Sequence, residues 1–190
     1  MKRYIYLSLC CLWASLSMHA ASYSGTLPVL HIQTENNAPI VSKDDYINAT
    51  YYLDAMGQDN IESIGSATAP LTMEIKGRGN YTWKGFDKKP YRLKLTDKQP
   101  LLGMTKSKHF ALLAHADDSK GFMRNAIGFE LARLIGMTWT PVAKPVEVVL
   151  NGDYIGLYFL TETIRVDKDR VNIVEQEDEE TDLAKITGGW

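Results

Sequence analysis

With 190 residues, 45% of them hydrophobic and 23% charged, the chain can bury a core of ordinary domain size and lacks the composition of a disordered segment. Its formal net charge of -2 excludes a protein drawn to nucleic acid or to an acidic membrane by bulk charge. Both cysteines, Cys10 and Cys11, fall in one apolar run near the start, which leaves the rest of the chain without a disulfide framework.

In chain order, Lys2 and Arg3 precede the apolar run 4–16, and small residues follow at Ala20 and Ala21. This is the layout of a secretory signal peptide over residues 1–20. A membrane anchor needs about 20 continuous apolar residues, and serines interrupt this run. Cleavage would leave no transmembrane helix and an extracytoplasmic or secreted protein. Residues 21–70 form a β-rich segment in which LPVLHIQTE and DYINATYYLDA cluster the residue types of strands, followed by a loop over 57–70. LTMEIK is a third strand running into the glycine loop GRG, and KPYRLKL is a fourth, with Tyr91, Leu93 and Leu95 on one face and Arg92 and Lys94 on the other. HFALLAHA is a further strand. The period then changes: Asp117, Asp118 and Ser119 supply helix-start oxygens, and Met123, Ala126, Ile127, Leu131 and Leu134 recur as on one helical face, with Gly136 as the stop. Two strands around Asn151-Gly152 close the pattern as a hairpin. Strands, one long helix and a hairpin predict an α+β fold with a mostly antiparallel sheet.

Charge is unevenly spread. Residues 76–98 hold eight cations against two acids, and residues 175–182 hold six acids and no cation; the acidic run has the composition of a solvated loop. Glu130 falls inside the apolar stripe of the predicted helix. A carboxylate facing a core needs a partner, since an unpaired buried charge costs several kcal/mol, and Lys94 and Arg92 are the candidates; a place at the stripe's edge in water is the alternative. A strand lysine held by a helix glutamate behind a glycine loop is a way to grip nucleotide phosphates. The glycine signal alone is weak, since Gly77 and Gly79 lack a third glycine at Thr82 and no Walker motif is present. Tyr81, Trp83 and Phe86 can stack on sugars or pack under the sheet. His109 and His115 lack cysteine or paired carboxylates, which favours structural roles over metal binding. The pair Asp167 and Asp169 is a commonplace of polar loops.

GRGNYTW, KKPYRLKL, LLAHADDSKGFMRNAIGFELARLIG and VVLNGDYIGLYFLTETI resemble, in sequence and order, the blocks of the spore coat protein H (CotH) kinase-like family. The resemblance runs over residues 71–190 and implies an incomplete CotH kinase-like domain: an atypical protein-kinase-like N-lobe with the C-lobe truncated. It implies ATP and Mg²⁺ as cofactors, although metal ligands are absent from this stretch. Carried over, it places Arg78 and Asn80 in the first block, Lys88, Lys89, Arg92 and Lys94 in the second, Arg124 and Asn125 on the helix and Glu162 at the end of the hairpin. By analogy with kinases, Lys94 or Arg92 would meet the phosphates, Glu130 would be the helix partner and Glu162 would lie near the adenine. A catalytic aspartate would be expected beyond Trp190, where the chain stops at ITGGW.

The function so implied is the N-terminal part of a secreted protein kinase that transfers phosphoryl from ATP to serine or threonine of an extracytoplasmic protein, inactive as a fragment. The alternative is a non-catalytic cell-surface module binding protein or polysaccharide through Tyr81, Trp83 and Phe86.

Overall fold

The computed structural model describes residues 25–118, 120–173 and 181–183. The expected signal peptide with both cysteines, the helix-start Ser119 and most of the acidic run 175–182 lie outside the described residues. Seven strands form in the order β1 (Val29–Thr34), β2 (Ile47–Asp54), β3 (Leu71–Gly77), β4 (Tyr91–Gln99), β5 (Ser107–Leu113), β6 (Ala143–Leu150) and β7 (Asp153–Glu162). A single turn of helix, α1 (Tyr81–Gly85), joins β3 to β4, and α2 (Arg124–Leu134) lies between β5 and β6.

These strands make a closed barrel with the spatial order β1-β2-β3-β4-β5-β7-β6. Every neighbouring pair is antiparallel except the seam, where β1 runs parallel to β6. The architecture corrects the expected kinase-like N-lobe with one long helix: among the described residues the chain is a mixed barrel, and α2 spans only 11 residues. Two physical causes account for the difference. β1 pairs with both β2 and β6, so the sheet has no edge left and curls shut. The helix cannot begin at residue 120, because Phe122 holds φ at 55°, outside the range that an α-helix allows.

Period-two alternation sends one face of every strand inward. Ile32, Tyr51, Ile75, Leu93, Phe110, Val148 and Leu160 are among the side chains that fill the interior, each stabilising the fold by about 1.5–3 kcal/mol relative to exposure. A seven-stranded barrel is narrow enough for side chains alone to fill it. Asn151 and Gly152 turn the β6–β7 hairpin with φ of 54° and 86°, the left-handed pair that a tight two-residue turn requires. The Asn151 amide oxygen also accepts the Thr34 backbone N–H at 2.8 Å and its hydroxyl at 3.0 Å. The turn residue that ends the hairpin thus also fastens the parallel seam.

The apolar stripe of α2 does not face this core. Ile127, Leu131 and Leu134 are 61%, 57% and 74% exposed, whereas Ala126, Phe129 and Ala132 occupy the half-buried side. Glu130 is therefore on the outward stripe and pairs with Arg133 one turn along. Among the described residues no helix is long and apolar enough to cross a membrane.

Candidate functional site

The glycine loop after β3 is shaped by an aromatic ring. A methyl at Gly77 would stand 2.5 Å from Trp83 ring atoms, so the absence of a side chain at 77 lets the indole lie against the backbone. The Gly77 N–H donates to the Ser42 carbonyl at 2.8 Å and the Arg78 N–H to the Pro90 carbonyl at 3.1 Å. Trp83 packs edge-on against Tyr91, with centroids 6.5 Å apart, while the Lys89 ammonium donates to the Trp83 carbonyl at 2.7 Å. The aromatic residues of this stretch thus divide: Trp83 joins the core, and Tyr81 is exposed with Phe86 edge-on at 5.4 Å.

Arg78, fixed by this packing, borders a cleft of about 140 Å³ lined also by Thr82, Pro90, His115, Asp117, Asp118, Arg124 and Asn125. The cleft sits where β3 ends, β4 begins, β5 ends and α2 starts. Arg124 lines its rim with a largely exposed side chain. Its guanidinium lies 3.5 Å from Asp117 and 3.6 Å from Asp118, and its backbone N–H donates to Asp118 at 3.0 Å. Arg78 has no ion-pair partner among the described residues. Burial and the nearby Arg92 both disfavour its charge, pulling its pKa down, yet guanidinium stays ionised. An anion is what such a group lacks.

His115 forms part of the cleft wall. It adopts φ of 48°, stacks at tilted and edge geometries against Phe122 and Phe159, at 6.0 and 5.0 Å, and is buried with no hydrogen-bond partner for Nε2 among the described residues. Burial pulls its pKa below the ordinary 6.5, and Asp118 and Asp117 counteract this only in part. The sign follows: as pH falls through 6.5, the unfolded chain takes up a proton that the folded chain resists, so stability falls. His31 and His109 shift downward too, so the contribution of His115 is a difference. Between about pH 7.5 and 5.5, His115→Asn is expected to lose less stability than the unaltered protein in denaturant titrations. Equal losses would remove His115 from the acid response.

Of the residues anticipated from the sequence, Arg78 lines the cleft, together with Arg124 and Asn125. The others lie elsewhere. Asn80 starts α1 and accepts the Lys84 N–H through its carbonyl at 3.1 Å. Lys89 holds Trp83, and its own carbonyl accepts the Tyr158 hydroxyl at 3.0 Å. Arg92 and Lys94 are on the outer face of β4. Lys94 pairs with Glu74, its direct cross-strand neighbour, at 2.6 Å, so the structure does not join it to Glu130. Glu162 is buried, with its carboxylate accepting the Val142 N–H at 3.0 Å. This contact ties the end of β7 to the entrance of β6.

Two cations carry more than the sequence suggests. Lys88 is half-buried with its ammonium 4.5 Å from the Tyr158 ring centre and 5.1 Å from that of Phe122, and it donates to the Leu157 carbonyl. It crosses Gly156, where a methyl would stand 3.6 Å from Nζ, and burial lowers its pKa. Arg170 is 5% exposed and donates to the Thr163 carbonyl at 2.6 Å, the Thr163 hydroxyl at 2.8 Å and the His109 carbonyl at 3.1 Å. The arrangement around Arg78 can grip a small oxyanion; for a metal ion it offers His115 beside Asp117 and Asp118, and both carboxylates are engaged by Arg124. Among the described residues no group of three or more His, Cys, Asp or Glu side chains is placed to hold a metal.

No curated protein matches the chain significantly. The family model described as CotH kinase protein matches residues 75–187. That match takes in the cleft, α2 and the β6–β7 hairpin, and because it covers more than half of the chain, this protein belongs to the CotH kinase protein family.

Proposed function

We propose that the Arg78 cleft binds nucleotide phosphate, and that the protein takes part in phosphoryl transfer from ATP to serine or threonine of an extracytoplasmic protein. The observation that supports the reading is Arg78: a desolvated guanidinium without a carboxylate, beside a second guanidinium, in a cleft of phosphate size. Arg78 and Arg124 would donate to phosphate oxygens in charge-assisted bonds, and the Asn125 amide would add a neutral donor. Asp117 and Asp118 lie within ion-pair distance of Arg124 and orient its guanidinium toward the cleft. Phosphoryl transfer depends on such positioning and charge neutralisation. The described carboxylates do not fit a Mg²⁺ site, since Asp117 and Asp118 are both engaged by Arg124 and no group of three ligating side chains forms among the described residues. The extracytoplasmic setting rests on the signal-peptide pattern of residues 1–20.

Mg-ATP is expected to raise the melting temperature of the protein with the logarithm of ligand concentration above the dissociation constant, and Arg78→Gln to weaken the apparent affinity about tenfold, the scale of one charge-assisted contact. A full response in the variant would move the nucleotide elsewhere. A second reading, a glycan- or protein-binding surface module, draws on exposed Tyr81 with Phe86 at its edge. Stabilisation by oligosaccharides and none by Mg-ATP, lost in Tyr81→Ala, would favour it.

A further inference from the structure

At the opposite end of β5 from the Arg78 cleft lies a second concavity of about 270 Å³, lined by Lys98, Lys106, Lys108, His109, Arg165, Asp167, Asp169 and Arg170 with Thr105 and Ser107. Ser107 borders this one and Leu113 the other. At about 3.3 Å per residue the two are roughly 20 Å apart along the strand.

Five permanent cations here face two carboxylates. Arg170 belongs to a built structure: it is almost wholly buried, and its hydrogen bonds go to the carbonyls of Thr163 and His109 and to the Thr163 hydroxyl. It forms no ion pair among the described residues; burial disfavours its charge, while the more distant Glu162 and Asp167 carboxylates partly support it and Arg165 opposes it. Lys98, Lys106, Lys108 and Arg165 form no ion pair among the described residues. Of the two carboxylates, Asp167 is engaged by its own turn, accepting the Asp169 N–H at 3.1 Å. Two titrating groups report the same positive field. His109 is pushed down by burial and then by Arg165, Arg170, Arg92 and Lys94, and Asp167 is pushed down by the Asp169 N–H and then by Lys98, Arg165 and Arg170.

We propose that this concavity is a second anion site, which takes the tetrahedral oxyanion of a phosphate or sulfate ester, with Lys106, Lys108 and Arg165 as direct contacts and Arg170 as the fixed charge beneath them. The exposed Thr105 hydroxyl supplies a neutral donor suited to such an oxyanion, while the Ser107 hydroxyl accepts the His109 N–H at 3.0 Å and shapes the floor. The site does not depend on the nucleotide reading of the Arg78 cleft.

The test is a titration of the full, isotope-labelled chain with O-phosphoserine and, separately, with a monosaccharide sulfate, each against sodium chloride at matched ionic strength. Saturable shifts at His109 and Arg165 are expected, weakened about tenfold in Lys106→Met/Lys108→Met and in Arg165→Gln, and unchanged in Arg78→Gln. Binding of both ligands identifies a general oxyanion site, and binding of one identifies its source. Equal shifts with sodium chloride, or full-strength binding by the Lys106/Lys108 variant, would overturn the proposal.

Discussion

Arg170→Met is expected to lower the unfolding free energy by about 2–4 kcal/mol. The guanidinium reinforces the end of the β5–β7 ladder, which sets Phe110 opposite Glu162. It donates to the His109 carbonyl on β5 and to two oxygens of Thr163, just past β7, and its charged carbon lies 5.9 Å from the centre of the Phe110 ring. Removing it leaves buried acceptors without their charged donor, and losing a partner costs more than the bond itself contributes. Methionine roughly fills the space and isolates the polar loss from a cavity effect. Arg170→Lys should recover part of the stability, because an ammonium donates from a single point and cannot fork toward both segments. Urea denaturation with an unchanged m-value is the measurement. A loss below about 0.5 kcal/mol, typical of an unremarkable surface position, would show that the contacts do not reinforce this end of the ladder.

Gly77→Ala is expected to cost about 1–3 kcal/mol, as forced repacking of a tight contact does. The added methyl would stand 2.5 Å from the six-membered ring of Trp83. An indole cannot bend aside, so the ring must leave its place against Tyr91 or the backbone must shift. The companion experiment uses Trp83→Leu, whose smaller side chain clears the clash: Gly77→Ala should be nearly harmless in that background, a strong departure from additivity. Additive effects would mean that the methyl is accommodated by another movement. Because Arg78 follows directly, Gly77→Ala should also weaken phosphate binding, whereas Trp83→Leu alone should weaken it less.

The strands were legible because a two-residue period survives in short runs: Tyr91, Leu93 and Leu95 alternate in the sequence and are buried in the barrel. Closure was not, since it depends on β1 meeting β6 across most of the chain, and no local pattern records a distant parallel pairing. The stripe on α2 was legible as a stripe, but periodicity says which residues share a face and not what the face meets. That is why Glu130 suggested a buried pair with Lys94. Laying β3 against β4 would have set Glu74 opposite Lys94, a stronger signal than the helix offered. Arg78 was visible through its neighbours in the glycine loop. Arg170 was not, because its partners are mostly backbone oxygens, which every residue possesses.

The parallel seam has a consequence for how the molecule is made. β1 leaves the ribosome early, yet its ladder with β6 cannot form until β6 itself has been synthesised. Until then one flank of a nascent six-residue strand stays open to any extended peptide nearby, and the arrival of β6, with Asn151 fastened to Thr34, withdraws the invitation.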